Sequence, residues 1–184
     1  MNHHGTEILE TNRLILRKFT LEDGKDMFNN WASSSAVTEF MTWPPYQSKR
    51  DVEEYIDKCI DDYRDMSNYN WCIVNRENNQ AIGSIGVVSI REDISEAAIG
   101  YCLGERYWHQ GIMTEAFNRV IQFLFKDVSV NRIKATHDTN NPNSGGVMRK
   151  CGLTYEGTLR KSAVNNTGVY DSAVYSILKS EYEK

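Results

Sequence analysis

One stretch of this chain leaves little freedom in how its surroundings fold: Tyr107-Trp108-His109-Gln110-Gly111-Ile112-Met113-Thr114-Glu115-Ala116. A strand-like segment, Glu96 to Leu103, runs into it, and an apolar-periodic helix, Thr114 to about Lys126, runs out of it. Gly111 permits a tight turn and carries no side chain to hold a ligand away. The first helical turn has N–H groups without intrahelical partners, pointing back into that turn with the positive end of the helix dipole. A strand, a glycine turn and a helix N-terminus make a cradle for phosphate or another anion. A plain surface connection fits the same residues, so this stretch alone leaves both readings open.

The rest of the chain supplies a sheet and helices around it. Asn12 to Lys18 alternates Leu14 and Leu16 against Arg13, Ile15 and Arg17, a first strand. Thr20 followed by Asp23 signals a helix carrying Leu21, Met27, Phe28 and Trp31, broken at Ser33 to Ser35. An apolar cluster, Val37, Phe40, Met41 and Trp43, ends at Pro44-Pro45. Ser48 with Asp51 starts another helix, expected to bury Val52, Tyr55, Ile56, Cys59, Ile60 and Tyr63. Its other face, Glu53, Glu54, Asp57, Asp61, Asp62 and Asp65, reads as solvated; the sharper alternative is an acidic wall for a cationic acceptor.

From Asn70 the period changes to two. Trp71 to Asn75, Ala81 to Ile90 and Glu96 to Leu103 are expected as consecutive antiparallel strands, with turns at Asn78-Asn79 and Glu92-Asp93. Beyond the cradle come a strand over Arg132 to Asp138 and a helix over about Pro142 to Lys150, closed by Gly152. Two strands follow, Leu153 to Arg160 and Val169 to Leu178. The order β-α-α-β-β-β-α-β-α-β-β defines an α/β fold with the cradle in mid-chain.

At 184 residues, 40% hydrophobic and 25% charged, the chain reads as one soluble domain over 1–184, with residues 1–10 a flexible or peripheral N-terminus. A net charge of −4 and a pI near 5.6 give no support to a nucleic-acid or membrane-surface binder. Acidity favours cationic partners such as amines. Met1 to Thr6 lacks the apolar core of a secretory signal, and no apolar run approaches the ~20 residues of a membrane span. Cys59, Cys72, Cys102 and Cys151 match no metal-ligand spacing and read as free core thiols of a reducing cytoplasm. No metal site is expected, and His3 and His4 are expected to fray.

The second informative stretch is Asn141-Pro142-Asn143-Ser144-Gly145-Gly146-Val147-Met148-Arg149-Lys150-Cys151-Gly152-Leu153-Thr154-Tyr155-Glu156-Gly157. With Tyr107–Ala116, the early Thr11-Asn12-Arg13-Leu14-Ile15-Leu16-Arg17 and the late Glu156-Gly157-Thr158-Leu159-Arg160-Lys161, it resembles the GNAT superfamily of N-acetyltransferases, in the branch of the RimJ and RimL ribosomal-protein acetyltransferases. The resemblance runs from about Thr11 to the C-terminus. It implies a mixed, mostly antiparallel central sheet flanked by helices, with acetyl-CoA as donor and a primary amine, on a protein N-terminus or a small molecule, as acceptor. It implies direct attack of the amine on the thioester without an acyl-enzyme, and it is compatible with a homodimer.

Carried over position by position, the resemblance assigns the backbone amides of His109, Gln110, Gly111, Ile112, Met113 and Thr114 to the pyrophosphate of coenzyme A. It assigns the backbone of Tyr101 and Leu103, and Asn141, to the pantetheine arm where two strands splay apart. Ser144 matches the serine beside the sulfur in this branch and is the candidate proton donor to the leaving thiolate; a helix-capping serine is the alternative. The tyrosine many relatives carry one turn later is Met148 here. Trp108 and Met113 depart from the commoner loop residues, and Met113 would narrow the approach unless only its N–H faces the phosphate.

The acceptor amine must lose a proton, because an ammonium near pKa ~10.4 has no lone pair at neutral pH. The family's carboxylate positions are Ala98 and Ala163 in this chain. Three possibilities stay open: Glu96 through a water, His137 at a strand end, or a water relay with no side-chain base. Trp31, Phe40, Trp43 and Tyr46 are candidates to line an acceptor groove, and Asp171 to bind the amine. With both family carboxylates missing, a non-catalytic acyl-CoA-binding module competes with the enzyme.

Overall fold

Period-two alternation builds eight strands: β1 (Leu9–Glu10), β2 (Leu14–Arg17), β3 (Asn70–Asn75), β4 (Gln80–Arg91), β5 (Glu96–Leu103), β6 (Arg132–Asp138), β7 (Thr154–Asn165) and β8 (Gly168–Leu178). The computed structural model, which describes residues 1–183, joins them into one sheet in the order β1-β2-β3-β4-β5-β6-β8-β7. Every neighbouring pair is antiparallel except β5 and β6. That parallel pair is registered only from Glu96 opposite Arg132 to Ile99 opposite Ala135. Beyond Ile99 the two strands part.

The helices are α1 (Gly24–Met27), α2 (Ser35–Thr38), α3 (Lys49–Asp62), α4 (Ile112–Phe123), α5 (Pro142–Lys150) and α6 (Lys179–Tyr182). At the start of α3, Ser48 Oγ accepts the Asp51 N–H and the Asp51 carboxylate accepts the Ser48 N–H, the reciprocal cap that the sequence signals. The helix expected from Thr20 is instead three short turns, a 3₁₀ turn, α1 and a π turn over Phe28–Ala32.

One face of the sheet packs Leu14, Leu16, Trp71, Ile73 and Ile82 against Phe117, Val120 and Phe123 of α4. The other packs Cys72, Val74 and Cys102 against Met27, Trp31, Val52 and Ile56. Ile60, expected in the buried stripe of α3, is 40% exposed, because it lies about 100° round the helix from Cys59. The acidic residues expected on the other face of α3, Glu53, Glu54, Asp57, Asp61, Asp62 and Asp65, are all exposed. The first ten residues are tied down: Asn2 N–H donates to Val128 O, Gly5 N–H to Met66 O, and the His3 ring bridges the Tyr69 hydroxyl and Glu92. β7 runs five residues past its expected end, through an irregularity between Leu159 and Ala163 that holds Lys161 at φ 50°.

Candidate active site

After β5 the chain passes through a 3₁₀ turn, Glu105–Tyr107, and then through His109 (φ 59°) and Gly111 (φ 73°), both left-handed. Gly111 is the N-cap of α4, so the helix starts at Ile112, two residues earlier than its apolar period suggests. Glu115 N–H is the first to reach a carbonyl, that of Gly111 at 3.0 Å. The N–H groups of His109, Gln110, Gly111, Ile112, Met113 and Thr114 donate to no protein acceptor among the described residues. Six consecutive free donors at a helix N-terminus are the arrangement that suits an anion. Ile112 and Met113 turn their side chains into the core, so the bulk of Met113 does not crowd the loop. The Trp108 indole N–H donates to Leu103 O at 2.7 Å and braces the turn against the end of β5.

A second brace comes from a distant part of the chain. The Glu115 carboxylate accepts Thr11 Oγ (2.6 Å), Arg13 N–H (3.0 Å) and Arg13 Nε (2.7 Å), while the Arg13 guanidinium also donates to Gln110 O at 3.0 Å. Sequence reasoning missed this lock, although Thr11 and Arg13 open the early matching stretch. Nothing local marks a partner about a hundred residues away.

The parting of β5 and β6 opens the sheet beside the cradle. Gly104 N–H donates to Ile82 O on β4 at 2.8 Å, so strand alternation turns the backbone groups of Tyr101 and Leu103 the other way, toward the gap, where the Leu103 carbonyl already accepts the Trp108 indole. Two clefts of about 530 and 600 Å³ meet there and share Phe40, Met41, Tyr101, Cys102, Asn141 and Ser144. The first runs over the cradle to Lys150; the second runs the other way, past Trp43, His137, Asp138 and Tyr170.

Ser144 lies at the junction. Asn141 rather than Ser144 caps α5, its Oδ1 accepting the Ser144 N–H at 3.4 Å. The Ser144 hydroxyl is thus free for another partner and lies 3.0 Å from the Tyr101 hydroxyl, which also donates to Ser144 O at 3.0 Å. Burial pushes the Tyr101 phenol above its ordinary pKa against the opposing effect of the Ser144 bond, so it is protonated at neutral pH. The sequence singled out only the backbone of Tyr101; its side chain joins the site as well. Met148, at the other tyrosine position, is buried in the core.

The remaining candidates fall elsewhere. Glu96 lines neither cleft: it begins β5, five residues and roughly 16 Å before Tyr101, and pairs with Arg132 Nε at 2.7 Å. Arg132 also grips Glu156 at 2.6 Å, which makes Glu96 part of a structural ion network. His137 lines the second cleft, but its Nδ1 is 2.7 Å from Asp138 O and its Nε2 is buried without a partner against Gly145. Neither nitrogen faces the junction with a free hydrogen-bonding site. Phe40 and Trp43 line the second cleft, whereas Trp31 is 1% exposed in the core and Tyr46 packs on Trp43 and Tyr55. Asp171 accepts the Lys161 N–H at 2.8 Å and supports the irregular turn of β7.

Comparison with known proteins agrees with this geometry. Residues 13–154 match the family model described as the acetyltransferase (GNAT) domain. The chain is 31% identical over 172 residues to the uncharacterized N-acetyltransferase YoaA of Bacillus subtilis, covering 94% of this chain and 97% of that one. Among solved structures, a GNAT-family acetyltransferase from Bacillus anthracis superposes with a TM-score of 0.83 at 24% identity, covering 95% of this chain and all of its own. RimL, a ribosomal L7/L12 alpha-N-protein acetyltransferase solved with coenzyme A, superposes with a TM-score of 0.83 at 20% identity over 94% of this chain and 98% of its own.

Proposed function

This chain belongs to the GNAT acetyltransferases, and on that premise we propose that it moves the acetyl group of acetyl-CoA to a primary amine by direct attack within a ternary complex. The observation that carries the reading is the run of six N–H groups from His109 to Thr114 without a partner among the described residues, set beside a parallel strand pair that parts at Ile99. The first feature fits a pyrophosphate, and the second fits an arm with its own amides that lies between β5 and β6. Acetyl-CoA held there supplies an activated acyl carbon and a thiolate leaving group.

The chain's own groups do the rest. The Tyr101 N–H, turned toward the gap, is placed to stabilise negative charge on a carbonyl oxygen. The Ser144 hydroxyl donates a proton to the departing sulfur, and the Tyr101 phenol replaces it when its one O–H swings from Ser144 O to Ser144 Oγ, both 3.0 Å away. The second cleft admits the amine, whose nitrogen bonds the acyl carbon as the C–S bond breaks and whose proton leaves through water. The RimJ/RimL-like sequence pattern favours a protein N-terminus or a small amine as acceptor, and four free, buried cysteines fit a cytoplasmic enzyme.

A panel of amines and peptides, assayed for free thiol release with mass detection of the acetylated product, tests the reading. Turnover on at least one acceptor is expected. Tight acetyl-CoA binding with no turnover on any of them would replace it with the non-catalytic acyl-CoA-binding module.

A further inference from the structure

The second cleft contains a charge that the transfer as described leaves unused. Asp138, at the end of β6, is 3% exposed and lines the cleft. One of its carboxylate oxygens accepts the Asn140 N–H at 2.9 Å and the other accepts Asn165 Nδ2 at 2.9 Å. Both donors are neutral. A carboxylate withdrawn from water with no cation beside it is an uncommon and costly arrangement unless a partner arrives from outside.

The surroundings describe that partner. Among the described residues, Asp138 is the only carboxylate and Lys58 the only lysine or arginine that line the cleft. Phe40, Trp43, Tyr55, Tyr69 and Tyr170 supply aromatic surface, suited to the body of an organic cation. The volume, about 600 Å³, lies within the ~300–1,000 Å³ of small-molecule sites. The walls are also tied together. Asn166, in the turn between β7 and β8, donates its N–H to Met41 O (3.1 Å) and its Nδ2 to Thr38 O (2.8 Å) and Trp43 O (2.7 Å). The loop that carries Phe40 and Trp43 is thereby strapped to the hairpin whose Asn165 holds Asp138.

We propose that Asp138 draws the acceptor in as its ammonium ion, and that the acceptor is a small amine with an aromatic or apolar body rather than a polypeptide N-terminus; the ammonium gives up one proton to water in the cleft before its nitrogen attacks the thioester. This rests on the acetyltransferase reading in taking the second cleft as the acceptor side. The other ionisable groups facing the cleft are His137 on β6, Tyr170 on β8, Tyr55 and Lys58 on α3, Tyr69 before β3, and Tyr101 and Cys102 on β5, burial pushing the Cys102 thiol up and away from the thiolate. None is an acid that could substitute for Asp138 as a counter-charge at neutral pH.

The test is calorimetric titration of the protein, free and saturated with coenzyme A, with 2-phenylethylamine and its uncharged analogue 2-phenylethanol. The amine is expected to bind at least about tenfold more tightly than the alcohol, and Asp138→Asn to remove that difference. Because Asp138→Asn also leaves the Asn165 amide without an acceptor, the double variant Asp138→Asn/Asn165→Asp serves as control: it restores an amide–carboxylate pair with the charge on a residue outside the cleft lining. It is expected to recover the thermal midpoint but not the preference for the amine. Equal binding of amine and alcohol by the wild type, an undiminished preference in Asp138→Asn, or a preference regained in the double variant would each overturn the proposal. A failure of the acetyltransferase reading shows separately, as absence of coenzyme A binding, and the titration of the free protein still reads the charge preference.

Discussion

Gly145 follows the Ser144 hydroxyl by one residue, and the ring of His137 lies where its side chain would be. A Cβ at this position would lie 2.5 Å from His137 Nε2, 3.0 Å from Cε1 and 3.3 Å from Cδ2. The ring has little room to yield, since Nδ1 is 2.7 Å from Asp138 O and one face packs on Tyr175 with centroids 5.6 Å apart. Gly145→Ala therefore forces overpacking worth ~1–3 kcal/mol, and shifting the ring also loses a hydrogen bond worth ~1 kcal/mol. Alanine returns ~1 kcal/mol in helix propensity, which leaves a net destabilisation of ~1–3 kcal/mol. At this chain length each kcal/mol lowers the melting temperature by roughly 2–4 °C. Urea denaturation of Gly145→Ala, His137→Ala and the double variant measures it, because the penalty is a property of the pair. In the His137→Ala background the alanine at 145 should be neutral or slightly stabilising. The same cost in both backgrounds would refute the reasoning, since the strain would then lie in the backbone of α5 and not against the ring.

Ser144→Ala should lower kcat by about 10²-fold, the low end for a positioned proton donor, with acetyl-CoA affinity little changed; steady-state kinetics decides, and an unchanged kcat excludes Ser144 as donor. Tyr101→Phe, which leaves the Ser144 hydroxyl without its partner, should depress kcat by a smaller factor, and equal rates for mutant and wild type would dismiss the relay. Glu115→Ala removes the anchor of Thr11 and Arg13 under the cradle and should weaken acetyl-CoA binding by about tenfold, the worth of roughly one charge-assisted hydrogen bond; calorimetry showing full affinity would mean that the loop holds its shape unaided. The Glu156 carboxyl is held down at about 2 by the Arg132 guanidinium and the Ser176 hydroxyl. The unfolded chain, with an ordinary glutamate near ~4.3, takes up this proton first as the medium is acidified, so the stabilisation is complete above that value and is lost as pH falls toward about 2. Glu156→Gln should flatten that part of the stability profile, and parallel profiles for the two proteins between pH 2 and 5 would count against the assignment.

Where the signal is local, the chain announces its structure. Ser48 and Asp51 cap α3 as their spacing implies, and Pro142 at the first turn of α5 marks that start to the residue. The start of α4 was less visible, because its N-cap is a left-handed glycine with no side-chain oxygen to signal it. Ser144 at the cleft junction could be foreseen, but its Tyr101 partner is 43 residues away and meets it only through the parting of β5 from β6. Glu96 illustrates the limit of face counting. Alternation placed it correctly on its strand and could not see Arg132, which neutralises it from the neighbouring one. Asp138 was hidden for the converse reason: its interest lies in having no cation nearby, which is visible only once every neighbour is in place.

The unpaired end of β5 means that this protein carries an unfinished sheet, which on the proposed function the donor finishes. A ligand that takes the place of a missing strand is read through peptide groups, which every residue type presents alike. Selection on donor recognition then acts on the path of the backbone at Tyr101 and Leu103 and scarcely on which side chains hang from it. The same holds along the loop from His109 to Thr114, where Met113 turns its side chain inward and offers only its N–H. Sequence drift along both segments is then compatible with an unchanged donor, while the proposed acceptor side, with side chains such as Asp138 and Trp43, is free to specialise one substitution at a time.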